Sequence, residues 1–193
     1  MYRKVLRDAR FFELLLKIDQ EQLAEVRTGR CPHCGGPLHA GHFARKPRGL
    51  DLVAGELPDG YEVRFSLCCG RCRRRTMPES VRFLGRKVYL AVVVAVATVV
   101  ARGPERGALR LLRQELGVAR STLARWRQWW RELTGSAFCQ RLRGTLPIGI
   151  DFATLPGSLL DCLAGDAAKR LSALLRLLRP LTGSFPSTLD GRP

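Results

Sequence analysis

Carboxylates are scarce in this 193-residue chain: 17 Asp and Glu stand against 33 Lys and Arg, a net charge of +16. The deficit excludes an acidic tail. It also leaves little from which to build a two-metal carboxylate centre. The chain lacks any apolar run of membrane-spanning length. The longest, residues 88–101, has 14 residues, about 21 Å as a helix against a hydrocarbon core of ~30 Å. The first eight residues carry no apolar stretch of signal-peptide type. An even cysteine count is missing too. Seven cysteines, four of them in two C-x-x-C pairs, make a poor disulfide framework and a good metal framework. The expected setting is reducing and cytoplasmic, with nucleoid association.

What is present is a chain able to fold. Hydrophobic residues make up 46%, too many for a disordered basic tail. A foldable chain this positive points to a polyanionic partner, and RNA, DNA and anionic lipid are all open on charge alone. The surplus is uneven: residues 31–144 hold +13 of the +16, so an anion-binding surface is expected there.

Residues 3–26 read as an amphipathic helix with Phe11, Phe12, Leu15, Leu16, Leu23 and Val26 on its apolar positions, ended by Thr28-Gly29. Residues 31–75 are rich in turn signals, with short strands expected around Leu50–Val53 and Tyr61–Leu67. Residues 88–101 read as a buried core helix, with a strand as the local alternative because of their many β-branched side chains. Helices are expected over 107–116, 120–134 and 166–179. Asp166 should cap the last of these, and a leucine stripe runs through 171, 174, 175 and 178. From Thr182 onward the Gly/Ser/Pro-rich tail is expected to be mobile.

Two constellations carry chemistry. Cys31-Pro-His-Cys34-Gly-Gly and Cys69-Gly-Arg-Cys72 are two knuckles. Two intervening residues let a tight turn aim both thiolates at one point, and two such turns supply a tetrahedron. We expect Cys31, Cys34, Cys69 and Cys72 to hold one structural Zn2+ in a closed site. Cys68 is a competing ligand, His33, His39 and His42 lie near, and a thiol cluster or redox pair is the alternative. Arg71, Arg73, Arg74 and Arg75 surround the second knuckle as candidate phosphate contacts.

The second constellation is a helix-turn-helix over residues 108–130, with Leu109 and Leu112 on the first helix and Gly117 at the turn. Arg113 stands where a small residue usually lets the helices approach. At 100° per residue, Thr122, Leu123, Trp126, Trp129, Trp130 and Leu133 fall within about 60° of one direction. Ser121, Ala124, Gln128 and Arg131 fall opposite, flanked by Arg120, Arg125 and Arg127. Such a helix has one apolar face to anchor it and one polar face for base edges and phosphates. The expected DNA-binding residues are Arg120, Ser121, Arg125, Arg127, Gln128 and Arg131, with Arg73, Arg74 and Arg75 on the knuckle.

The order of these parts resembles the DNA-binding front end of bacterial insertion-sequence transposases and their small accessory proteins. The resemblance rests on the knuckles, on Arg73–Leu90 and on Gly117–Trp126, and covers roughly residues 31–134. It implies recognition of element-end DNA. Such transposases carry an acidic triad. Here the last 49 residues offer only Asp151, Asp161, Asp166 and Asp190, so a non-catalytic role is expected, with a separate transposase catalytic subunit as a partner.

The expected fold class is α+β, mainly α. An N-terminal amphipathic helix (1–30) precedes a zinc ribbon (31–80) and a helix-turn-helix three-helix domain (81–136). A C-terminal helical segment (137–180), able to pair two copies, and a mobile tail (181–193) follow. The leading function is a zinc-containing protein that binds double-stranded DNA, either a transposition accessory protein or a truncated transposase. The alternatives are an RNA-binding, ribosome-associated zinc ribbon and a membrane protein anchored by 88–101.

Overall fold

The computed structural model describes residues 2–45, 57–84, 89–100, 118–143 and 150–183. The fold is α+β and mainly helical. Helix α1 spans Ala9–Thr28. The chain before it does not join the same helix, as the periodicity had suggested. Asp8 is extended and its carboxylate accepts from the Arg10 amide at 3.1 Å, so it caps α1, while Tyr2–Arg7 forms a separate 3-10 turn. Gly29 closes α1 by donating to the Glu25 carbonyl at 3.2 Å.

Among the described residues short strands follow: β1 (Leu38–Ala40), β2 (Phe43–Ala44), β3 (Val63–Arg64), β4 (Leu67–Cys69) and β5 (Arg75–Thr76). Strands β1, β4 and β5 make an antiparallel sheet in that order, with Leu38 opposite Cys69 and Leu67 opposite Thr76. Strands β2 and β3 pair separately, Phe43 opposite Arg64. The strand expected at Leu50–Val53 lies outside the described residues.

The run at 88–101 divides between the two readings it allowed. Tyr89–Leu90 is a strand, β7, paired with β6 (Phe83–Leu84), and only Ala91–Val100 is helix α2. Ladder bonds from β6 take up the backbone of the first residues. The Ala91 amide then donates to the Arg82 carbonyl at 2.8 Å where the helix begins. Helix α2 is apolar all round, which suits burial on every side; from Ala91 to Ala97 no residue is more than 2% exposed.

Helix α3 spans Arg120–Thr134, as the wheel anticipates, and α4 (Ala137–Arg143) follows. The buried stripe of α3 is Leu123, Trp126, Trp130 and Leu133. Trp130 bolts α3 to α2. Its indole N–H donates to Thr98 Oγ1 at 3.2 Å, and that hydroxyl donates to the Val94 carbonyl at 2.7 Å. The expected first helix at 107–116 and its turn at Gly117 lie outside the described residues.

After a 3-10 turn at Phe152–Thr154 and α5 (Gly157–Cys162), helix α6 covers Ala167–Leu178 with Asp166 as its cap. Leu171, Leu174, Leu175 and Leu178 are all buried, against α2 and the N-terminal turn among others. At about 1.5–3 kcal/mol per buried leucine, this face contributes to the core of the chain itself. The helix passes into a 3-10 turn at Arg179–Thr182. Thr182, where the mobile tail was expected to begin, is instead tied down. Its hydroxyl accepts from the Ser80 amide at 2.7 Å and its carbonyl from Arg64 at 3.0 Å.

The N-terminal helix shares its core with parts of both expected modules. One core joins α1, Tyr61, Phe65, Val81, α2, α3 and α6. At its centre Asp19, 1% exposed, meets Arg82, 0% exposed, at 2.7 Å. The Asp19 carboxylate also accepts from the Ser80 hydroxyl at 2.5 Å and the Val81 amide at 2.7 Å. Arg82 spreads its remaining donors over the carbonyls of Tyr61 and Val63, at 2.5 and 2.9 Å. Its guanidinium lies over the Phe65 ring at 4.5 Å. A buried charge pair persists only where such bonds satisfy its remaining donors and acceptors. No helix among the described residues is long and apolar enough to cross a membrane.

Candidate metal centre and basic surfaces

The two C-x-x-C segments fold into matching turns. In the first, the Gly35 amide donates to the Cys31 carbonyl at 2.8 Å and the Cys31 amide to the Gly36 carbonyl at 2.9 Å. In the second, Arg73 donates to Cys69 at 3.1 Å and Cys69 to Arg74 at 3.0 Å. The residue after the second cysteine is left-handed in both: Gly35 at φ +68° and Arg73 at φ +60°. The sequence supplies glycine for this only once. Gly36 serves another need, because a Cβ there would lie 2.8 Å from Arg71 Cβ and 3.0 Å from Cys69 Sγ. Only a glycine lets the knuckles close on each other.

They close on one point. The Sγ atoms of Cys31, Cys34, Cys69 and Cys72 all lie within 4.8 Å of one another. Cys31 and Cys72 are 3.6 Å apart, Cys34 and Cys69 3.5 Å. A tetrahedron with metal–sulfur bonds of about 2.3 Å has edges of about 3.8 Å, whereas a disulfide is about 2.05 Å long. All four cysteines are free. The four thiols therefore lie at a spacing consistent with one shared metal ion.

The electrostatics of the four thiols are uneven. The amides of Cys72 and Arg71, 3.4 and 3.3 Å from Cys69 Sγ, draw that thiol down to about 6. The Arg74 amide also draws Cys72 down, but desolvation and the three neighbouring thiols outweigh it and leave it raised to about 12. One thiol of the cluster thus gives up its proton readily and another holds it. A divalent cation removes that conflict by converting all four to thiolates.

The competing ligands go elsewhere. Cys68 faces away from the cluster, its Sγ 3.6 Å from the Arg73 carbonyl. His42 Nδ1 lies 3.0 Å from the Ser66 carbonyl, and His33 Nδ1 accepts from Arg74 at 3.3 Å. That last bond links the knuckles on their outer side. Among the described residues no other group of ligating side chains gathers in this way.

Two basic surfaces flank this core. Arg71, Arg73, Arg74 and Arg75 are exposed on the second knuckle. On α3, Arg120, Ser121, Arg125, Gln128 and Arg131 are exposed, with Arg127 half-buried. Some of these side chains are already engaged. Gln128 donates to Glu132 at 2.9 Å, and Arg125 folds back to Thr122 Oγ1 at 3.2 Å. Arg120 and Ser121 stand at the first turn, where Ala119 provides no side-chain cap.

The buried pair of Asp19 and Arg82 escaped the sequence reading. Its one trace is an aspartate set in the apolar stripe of α1, three residues after Leu16. Comparison with protein-family models, curated proteins and solved structures gives no match.

Proposed function

We propose that this chain is a non-catalytic, zinc-containing protein that binds double-stranded DNA, related to the DNA-recognition regions of transposases. It acts as a transposition accessory protein or is a truncated transposase, with catalysis left to a separate subunit. Zinc is the ion of choice for four thiolates in a tetrahedron. With every position filled by protein, the ion is structural and has no place for a substrate.

The observation that carries the reading is Arg73. A left-handed conformation costs a non-glycine residue about 1–2 kcal/mol, and the matching position in the first knuckle is glycine. An arginine kept at that cost, beside Arg71, Arg74 and Arg75, is best used on an anion. The rigid turn fixes where these guanidinium groups stand, and phosphates of a duplex recur at regular spacing. Helix α3 supplies the second element, with Arg120, Ser121, Arg125, Arg127, Gln128 and Arg131 turned away from its tryptophan stripe. Gln128 must leave Glu132 to read a base edge.

Selection of bound duplexes from a random pool, followed by gel-shift titration, tests this. With about six phosphate contacts, log K against log salt falls with a slope near −5. Changing Gln128 and Arg131 to Ala relaxes sequence preference, whereas changing Arg73, Arg74 and Arg75 weakens all duplexes alike. RNA displacing DNA at equal nucleotide concentration overturns the reading.

A further inference from the structure

Phe43 opens β2, half-buried, with Arg64 directly opposite it on β3. The Arg45 guanidinium carbon lies 4.7 Å from the centre of its ring and that of Arg75, arriving from β5, 5.2 Å. Arg75 is held in place, its Nη1 donating to the Gly41 carbonyl and the Ser66 hydroxyl, both at 3.1 Å. Arg64 is 6% exposed and donates Nη2 to the carbonyls of Pro78 and Thr182 at 2.7 and 3.0 Å. Its Nη1, and the Nε of Arg45, are buried with no acceptor. The buried carboxylate of this region, Asp19, is already bound to Arg82.

This combination restricts the ligand. Buried N–H donors without partners are costly and call for acceptor oxygens. A phosphate alone would engage the arginines and leave the exposed part of the ring uncovered. An apolar peptide would cover the ring and leave the donors unmet. A nucleotide uses both, stacking its base on the ring or a guanidinium plane and giving oxygens to the arginines. A base inside a duplex has its faces covered by its neighbours, so the base in question is unpaired.

We propose that Phe43, Arg45, Arg64 and Arg75 form a site for one unpaired nucleotide of a DNA strand, so that the chain prefers DNA with an overhang to blunt duplex. The inference rests on the DNA-binding reading above and adds the state of the DNA that is bound.

Fluorescence anisotropy with the full metal-loaded chain tests it on three probes: a blunt duplex, the same duplex with a short thymidine overhang, and the overhang strand alone. The wild-type chain is expected to bind the overhang duplex about tenfold or more tighter than the blunt one, the scale of one stacked base. Phe43→Ala removes that gain and leaves blunt-duplex affinity unchanged, while Phe43→Trp retains it. Metal content and thermal midpoint of each variant separate lost stacking from a lost hairpin. If Phe43→Ala loses its metal, Arg45→Gln, which keeps the ring, reads the same loss. Equal affinity of the wild-type chain for blunt and overhang duplexes overturns this inference and leaves the DNA-binding reading standing. Binding to overhang and single strand without blunt duplex overturns the duplex reading and upholds this site. No binding to any probe overturns both.

Discussion

Among the described residues two hydrophobic clusters form, and they differ in composition. The larger joins α1, α2, α3 and α6 through leucines, valines and tryptophans, with one buried ion pair at its centre. The smaller consists, among the described residues, of Cys31, Leu38, Leu67 and Cys69, with Leu23, Val26, Cys34 and Cys72 packed against it. Half of the four buried members of that smaller cluster are thiols of the candidate metal centre. Two leucines and two cysteines bury little apolar surface, so an ion on the four thiols would be the main support of the smaller cluster, whereas the larger rests on burial.

Removing the metal is the strongest way to break the comparison. Binding of a structural zinc contributes on the order of 10 kcal/mol, so a chelator, or Cys69→Ser, is expected to unfold the β1–β4–β5 module while the helical signal largely persists. Circular dichroism with elemental analysis checks this; loss of both signals together would show that the clusters fold as one. Cutting the ion pair is next. Asp19→Ala leaves Arg82 buried without its anion and should cost about 3–5 kcal/mol in urea unfolding, with metal stoichiometry unchanged. Leu174→Ala, at a fully buried position of α6, should cost about 2–5 kcal/mol and likewise spare the metal.

The smallest expected effect is on pH dependence, and it concerns only the metal module. Within the folded cluster the Cys69 thiol is drawn down to about 6 and that of Cys72 is pushed up to about 12. Protons and the metal compete for the same sulfurs, so the metal is expected to be released as pH falls, and elemental analysis after dialysis at stepped pH checks this. A metal content that does not fall with pH would contradict a thiolate centre.

Much of this was legible in the sequence where the information is local. The cap at Asp166, the stripe on α6, the bounds of α3 and the pairing of knuckles all follow from spacings of a few residues. Sequence and structure part where a distant partner intervenes. Strand β6 takes Tyr89–Leu90 out of the helix expected at 88–101. Thr182 reads as the start of a mobile tail because nothing near it in sequence reveals the Ser80 amide it accepts from, 102 residues earlier. A single aspartate among leucines was too faint a sign of the Asp19–Arg82 pair, 63 residues apart.

By itself the amino-acid sequence determined which residues could ligate a metal, which helix faces are apolar, and that the chain is strongly basic. These depend on side-chain chemistry and on periods of two to four residues. Only the tertiary structure decided that four thiols meet within 4.8 Å of one another, that α1 belongs to the helical core, and that Arg45 and Arg75 converge on Phe43. Each of these is a contact between segments far apart in the chain, fixed by packing of the whole rather than by any local pattern.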